Sequence, residues 1–170
     1  FTIELIDESP ITERFALPYA ESLKRIGIEL SFRLVDSSAM TERQRKFDYD
    51  MIAHVWGQSL SPGNEQREFW SSTSADREGS QNYAGIKNPA IDKLVDKVIF
   101  APDRETLVAA THALDRALLW NHYVIPQWYS GVDRYVYWDR FGRPENLPEF
   151  SFGFPSIWWF DPAKAARITK

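Results

Sequence analysis

The first part of the chain alternates between strand-like and helix-like hydrophobic patterns. Residues 1–7 alternate loosely and carry β-branched side chains, which predicts a strand. A helix is predicted after Pro10 and up to Gly27, with one apolar face formed by Phe15, Tyr19, Leu23 and Ile26. Residues 28–34 alternate strictly between apolar and polar positions, which predicts a second strand. This order of elements predicts a βαβ unit with parallel strands and a right-handed crossover.

The pattern continues into a second helix and a third strand. Asp36 can cap a helix that runs to about Phe47. Residues 51–56 are apolar almost throughout, which suits a strand covered on both faces. Residues 57–89 then change to Gly, Ser, Asn and Pro, with one short helix predicted at 65–70. A loop of this length inside a compact domain is typical of a functional segment.

Two longer helices are predicted next. Asn88 and Pro89 have the residue types of an N-cap and a first helical position. The apolar face of this helix is formed by Ile91, Leu94, Val95, Val98 and Ile99. Pro102 and Asp103 end it and begin a second helix that runs to about Asn121.

The last quarter of the chain has weaker patterns. Residues 123–129 and 134–138 are rich in β-branched and aromatic side chains, which predicts two strands. Residues 141–160 combine prolines with many aromatic residues and are predicted to be irregular and docked on another surface. A last short helix is predicted at 163–168.

Composition limits the class of protein. The 170 residues carry a formal charge of −4, and 44% of them are hydrophobic, so the chain can build a core as one domain or as one lobe with a tail. The acidic balance argues against a nucleic-acid partner, and no apolar run is long enough for a membrane helix. The absence of cysteine excludes disulfides and thiol chemistry. A start at Phe1, without a signal peptide, indicates a fragment or a processed chain.

A search for catalytic motifs is negative. The sequence contains no GxSxG, Walker, GxGxxG or HExxH motif, and the three histidines do not share a helix face. We therefore predict no catalytic residues, no metal site and no cofactor. Asp48 and Asp50 could form an acid and base pair, but such a pair more often solvates the end of a strand.

Residues 54–59 indicate a ligand-binding site, because ligands of open α/β sheets bind beyond the carboxyl ends of the strands. Trp56 offers a flat apolar wall, and Gly57 lets the backbone approach a ligand. Gln58 and Ser59 supply hydrogen-bond donors and acceptors. The alternative is that Trp56 belongs to the core and the loop is only a surface excursion.

The order of motifs resembles family 5 extracellular solute-binding proteins, which are the peptide-binding components of bacterial ABC importers. The most specific match is residues 82–94, which fit the family pattern Asn-x-x-Gly-x-x-x-Pro-x-x-Asp-x-Leu. Residues 56–67 are similar to the YejA-type branch. The resemblance implies an α/β fold: a lobe of the class II periplasmic-binding-protein type, with a mixed sheet, helices on both faces and an irregular aromatic C-terminal tail.

The resemblance also implies a domain arrangement and a role. Residues 1–130 would be the C-terminal lobe of a two-lobed protein, and residues 131–170 a return segment that packs on the first lobe. The whole protein would be periplasmic and bind oligopeptides or a related small solute between its lobes. It would deliver this solute to the permease subunits of an ABC importer without catalysing a reaction.

The resemblance transfers to ligand contacts only in part. In peptide-binding members of the family, an aspartate shortly after the tryptophan-containing strand binds the α-ammonium group of the ligand. The nearest positions here are Gln58 and Ser59, which are uncharged, so a ligand with a blocked or differently held amino end is expected. The candidate ligand-binding residues are His54, Trp56, Gly57, Gln58, Ser59, Asn64, Glu65, Asn82 and Tyr83.

Two other functions remain open from the residues alone. Many of the aromatic side chains follow residue 120, which is also typical of a module that binds a protein or a glycan. A carboxylate-based hydrolase would use Asp48, Asp50 or Glu65.

Overall fold

The computed structural model describes residues 1–168. The chain divides after Pro126 into two compact units. This division lies close to the predicted boundary at residue 130. That the two units are a lobe and a return segment stays a prediction.

A three-stranded parallel sheet forms the first part of unit 1. Its strands are β1 (Thr2–Asp7), β2 (Glu29–Leu34) and β3 (Met51–Ile52), in the order β2-β1-β3. Helix α1 (Pro10–Lys24) connects β1 to β2, which pair in parallel. The βαβ unit predicted from the alternating pattern is therefore confirmed in its elements and strand direction.

Helix α1 packs on the sheet through part of the predicted face and through small residues beside it. Its buried residues are Thr12, Ala16 and Ala20, and the two alanines join a core with Leu5 and Leu30. Tyr19 and Leu23 of the predicted stripe are partly buried against this core, whereas its last member, Ile26, follows the end of the helix and is 73% exposed. Alanine side chains take up little space, so the most deeply buried positions of the contact face are small residues, with the larger apolar residues at their side.

Helix α2 (Ser37–Lys46) belongs to the opposite face of the sheet. Its Arg43 Nη2 lies 2.9 Å from the Glu4 carboxylate, and Glu4 points away from Leu5 and the α1 side because side chains alternate along a strand. Asp36 caps the helix as predicted, accepting a hydrogen bond from the Ala39 N–H at 2.9 Å. The α/β class with helices on both faces agrees with the prediction, but the sheet in unit 1 is parallel throughout and not mixed.

Strand β3 is much shorter than the predicted strand at 51–56. It pairs with β1 only at Met51 and Ile52, and β1 itself ends at Asp7. The Asp7 carboxylate accepts hydrogen bonds from the next two N–H groups and turns the chain toward α1, so β3 has no partner strand further on. Val55 is 86% exposed, which contradicts the prediction of a strand covered on both faces.

Three helices form the rest of unit 1. They are α3 (Glu65–Trp70), α4 (Pro89–Ile99) and α5 (Arg104–Trp120), as the sequence predicts to within a few residues. Asn88 and Asp103 cap α4 and α5 through their side chains. The shared core consists of Phe69, Trp70, Ile86, Ile91, Val95, Val98, Ala110 and Leu114.

Unit 2 contains little regular structure. Strand β4 (Phe141–Gly142) pairs antiparallel with β5 (Trp159–Phe160), and helix α6 (Pro162–Ala165) follows the Asp161 cap. The strands predicted at 123–129 and 134–138 are wrong, because no neighbouring strand pairs with these residues in the part of the chain that the structure describes. The helix predicted at 163–168 begins at Pro162 and ends at Ala165.

The aromatic residues of unit 2 partly pack on one another. Tyr135 stacks on Phe152 with ring centroids 3.9 Å apart, and Trp158 lies 4.5 Å from Phe152. Over residues 1–168, no helix has both the length and the apolar character needed to span a membrane.

Candidate ligand-binding site

Four aromatic side chains of unit 1 meet where the chain leaves the sheet. We call His54, Trp56, Trp70 and Tyr83 the aromatic cluster. The His54 ring lies 4.4 Å from Tyr83 and 5.0 Å from Trp56, and Trp56 lies 4.8 Å from Trp70, centroid to centroid. Trp70 is buried in the helical core, whereas Trp56 is only partly buried. Trp56 therefore packs on the core and still offers a surface wall.

The backbone around residue 82 holds the aromatic cluster in place. The Trp56 indole N–H donates to the Gln81 carbonyl at 3.0 Å, and the Tyr49 hydroxyl donates to the Tyr83 carbonyl at 2.8 Å. These two carbonyl groups flank a single residue, Asn82. The orientation of the exposed wall thus depends on a short stretch of loop.

Asn82 is completely buried and cannot contact a ligand, which corrects its place among the candidate ligand-binding residues. Its amide Nδ2 donates to the carbonyl groups of Ser71 and Ile86, each at 3.0 Å, and its Oδ1 accepts from the Ile86 N–H at 2.9 Å. An amide with these three bonds uses both of its donor hydrogens. Asn82 therefore organises the loop from inside the fold.

Burial shifts pKa values in the aromatic cluster and at Tyr49 beside it. Partial burial lowers the pKa of His54 below its usual value and raises the pKa of Tyr83. Burial also raises the pKa of Tyr49 to about 12. His54 is thus favoured in its neutral form, so the cluster can stack on uncharged groups and accept or donate a hydrogen bond.

Residues 57–59 lie at the surface. Gly57 is exposed, and a side chain at this position would meet nothing within 4 Å. Gln58 and Ser59 line a concavity of about 380 Å³ between this loop and helix α5. Gln58 and Ser59 therefore face a concave surface, and residues 57–59 are exposed and not covered by packed side chains. The Ser59 hydroxyl accepts a hydrogen bond from the Ser61 N–H at 3.2 Å.

Gln58 is tied to the core by hydrogen bonds between side chains. The Trp70 indole N–H donates to Gln66 Oε1 at 2.9 Å, and Gln66 Nε2 donates to Gln58 Oε1 at 2.7 Å. Gln66 is only 4% exposed. Sequence reasoning missed Gln66 and Trp70 as site residues. The sequence signal was their spacing of four on α3, which places both on one helix face. That this face meets Gln58 is shown by the hydrogen bonds of the structure.

The other two predicted residues lie at the start of α3. The Glu65 carboxylate accepts from the Gly63 N–H at 2.7 Å and from Gln66 Nε2 at 3.2 Å. Burial alone would raise the pKa of Glu65, but these hydrogen bonds lower it on balance. Asn64 is exposed, and its side chain makes no capping hydrogen bond. Gln66 Nε2 donates to both Glu65 and Gln58 and so links these two side chains.

The carboxylates considered for hydrolysis have structural partners. Asp50 Oδ2 accepts from the Glu4 N–H at 2.9 Å, and Asp48 Oδ2 lies 3.4 Å from Arg43 Nε. They attach the segment before β3 to β1 and α2. Within residues 1–168, no group of three or more His, Cys, Asp or Glu side chains could hold a metal ion.

Comparison with known proteins shows relatives over almost the whole chain. The probable peptide-binding protein YejA of Agrobacterium fabrum is 57% identical over 155 residues, or 91% of this chain and 25% of that protein. The peptidoglycan-binding protein YepA of the same species is 40% identical over 156 residues, covering 92% of this chain and 25% of that protein. The chain spans about a quarter of the length of the curated relatives it matches. No protein-family model matches it.

Comparison with solved structures also finds peptide-binding proteins. The oligopeptide-binding protein AppA of Bacillus subtilis, solved in complex with a nonapeptide, superposes with a TM-score of 0.62 at 26% identity, covering 72% of this chain and 24% of AppA. A match to a quarter of each relative is consistent with a fragment of a longer protein, as the resemblance implied. The chain is thus homologous to a segment of the YejA-type binding proteins, and its fold is that of the class II periplasmic binding proteins that serve ABC transporters.

Proposed function

We propose that this chain is one lobe of a periplasmic solute-binding protein that binds peptides for a bacterial ABC importer and catalyses no reaction. The names of the relatives support a peptide ligand, since YejA is described as peptide-binding and AppA was solved with a nonapeptide. The permease subunits of the importer would be its membrane partners. The rest of the longer protein would supply the opposite wall of the cleft.

One observation carries this proposal. Gln58 and Ser59 are exposed and line a concavity, and they follow the exposed Gly57 and the partly buried Trp56 in the chain. A flat apolar wall next to a few placed polar groups is the usual composition of a small-ligand site. A peptide backbone can hydrogen-bond to the polar groups while its side chains lie against the ring.

The same arrangement fits a site that closes on its ligand. An exposed surface of this kind buries only one side of a peptide, so the second side must come from another surface. Hinge closure of two lobes around a ligand is a known type of rearrangement, and it requires that the ligand bind the closed state more tightly. Delivery to a permease would then depend on the closed form.

We test the proposal in the full-length protein that contains this chain. Mass spectrometry of the purified protein is expected to find co-purified peptides, and calorimetry with those peptides gives their affinity. The double variant Gln58→Ala/Ser59→Ala removes two side-chain hydrogen bonds and should weaken binding about tenfold or more. Gln44→Ala/Ser38→Ala, on helix α2, is the matched control and should bind like the wild type.

Two results would contradict the proposal. If the full-length protein carries and binds no peptide, the function is wrong. If it binds peptides but the double variant binds as tightly as the control, the ligand lies elsewhere on the fold.

We also propose that residues 131–170 pack on another part of the longer protein. Val136 is fully exposed, and Trp138 is 68% exposed, although unit 2 has aromatic residues that could cover them. The alternative is a module that binds a separate protein or a glycan. In the full-length protein, Trp138→Ala should lower the unfolding temperature under our proposal, whereas an interaction module would keep its stability and lose its partner.

A further inference from the structure

The hydrogen bonds from Trp70 to Gln58 determine which way each amide points. An indole N–H can only donate, so the Gln66 atom 2.9 Å from Trp70 Nε1 must be the amide oxygen. The other end of that amide is then the nitrogen, which also can only donate. The Gln58 atom 2.7 Å from it must therefore be the oxygen.

Gln58 is left with its two N–H groups. Its oxygen is engaged by Gln66, and its Nε2 has no hydrogen bond to any residue in the part of the chain that the structure describes. Gln66 and Trp70 are buried, so the bond between them is shielded from water and keeps the Gln66 nitrogen directed at the Gln58 oxygen. The exposed side of Gln58, on the concavity beside Ser59, is a pair of donors.

We propose that Gln58 selects a hydrogen-bond acceptor on the bound peptide, a carbonyl or carboxylate oxygen, and disfavours an ammonium group. This inference rests on the proposed function, because it assigns the chemistry of the same site. Gln58 is the residue that contacts the peptide. Gln66 and Trp70 are positioning residues that act through it.

Neighbouring charges do not reverse this preference. The Glu65 Oε1 that could attract an ammonium group already accepts from Gly63 and Gln66. The concavity is also lined by Asp115 and Arg104, whose formal charges have opposite signs. The Gln58 amide nitrogen is therefore a hydrogen-bond donor on a concavity that has charges of both signs.

The test compares substitutions that replace the hydrogen-bond donor of Gln58 with an acceptor or remove the donor altogether. The full-length protein is titrated with a synthetic pentapeptide library that has free amino ends. Gln58→Glu replaces the donor nitrogen with an acceptor oxygen and should weaken binding about tenfold, because two acceptors then face each other. Gln58→Met, which has a similar size and no amide, should weaken it about threefold. Gln44→Glu on α2 controls for the added negative charge and should leave the affinity unchanged.

Gln66→Glu tests the positioning role without altering the contacting residue. This variant and its reference both carry Glu65→Ala, because the Gln66 amide also donates to Glu65 Oε1 and a second carboxylate there would be repelled. The new carboxylate accepts from Trp70 and needs a donor from Gln58, which would turn the Gln58 amide and present its oxygen to the peptide. We expect about tenfold weaker binding, with a circular dichroism spectrum like that of the wild type. A folded Gln66→Glu protein with unchanged affinity would overturn the inference.

Amidation of the peptide's carboxyl end separates the two sources of the acceptor. Lost binding identifies the carboxylate, and retained binding identifies a backbone carbonyl.

The outcomes separate this inference from the proposed function. If no peptide in the library binds to the wild type, both are overturned. If peptides bind and Gln58→Glu tightens binding, Gln58 meets an ammonium group, and only the present inference is wrong.

Discussion

Asn82 lies at the centre of the loop that supports the candidate site, and its side chain is fully buried. It joins the backbone at Ser71 to the backbone at Ile86, and the carbonyl groups on either side of it anchor Trp56 and Tyr49. The family pattern Asn-x-x-Gly-x-x-x-Pro-x-x-Asp-x-Leu thus begins with a structural residue. Its aspartate has a similar role, since Asp92 accepts from the Ser72 N–H at 2.7 Å.

We expect Asn82→Asp to lower the free energy of unfolding by about 3 kcal/mol, because an acceptor oxygen would face two buried carbonyl groups. Urea unfolding of the chain measures this change. Asn88→Asp is the matched control: aspartate caps a helix as well as asparagine does, so the acceptor for the Ala90 N–H is kept and stability should not change. A loss for Asn82→Asp no larger than that of the control would show that these bonds are not structural.

At the scale of elements, the accuracy of the predictions depended on the size of the buried side chains. Helix α4 buries large aliphatic residues, Ile91, Val95 and Val98, at helical spacing, and its face was predicted correctly. Helix α1 buries Ala16 and Ala20, which contribute little to a hydrophobic pattern, so the prediction included Tyr19 and Leu23 at the edge of its contact face and missed the alanines at the centre. The N-caps were predicted well because capping depends on residues next to each other in sequence.

The close contact of α1 with the sheet leads to a second prediction. Ala16 is 1% exposed, and Ala16→Leu adds three carbon atoms to a packed interface, which should lower the free energy of unfolding by about 2 kcal/mol. Ala113→Leu, at an exposed position on α5, is the control and should change stability by less than about 0.5 kcal/mol. Equal effects of the two substitutions in urea unfolding would mean that α1 does not pack on the sheet through Ala16.

At the scale of the whole molecule, the chain matches a quarter of the length of its relatives, and under our proposal it carries one wall of the site. We therefore expect this chain, purified by itself, to show no micromolar binding of the peptides that elute from the full-length protein. Half of the contacts would be missing, and about 4 kcal/mol less binding free energy already weakens a micromolar ligand to millimolar. Calorimetry measures this directly. Micromolar binding by the chain alone would mean that the site needs no second wall.

The sequence by itself determined the local features of this protein: the βαβ unit, the helix caps, the two long helices, and the surface loop at Gly57 to Ser59. These follow from neighbours in the chain and from the period of hydrophobic positions, which act over one element. Only the tertiary structure decided where β3 ends, that residues 123–138 form no strands, and that Asn82 is buried. A strand needs a partner and a buried amide needs carbonyl groups to receive its hydrogens, and both are supplied by residues distant in sequence. The orientation of the Gln58 amide was decided in the same way, by the indole of Trp70 acting through Gln66.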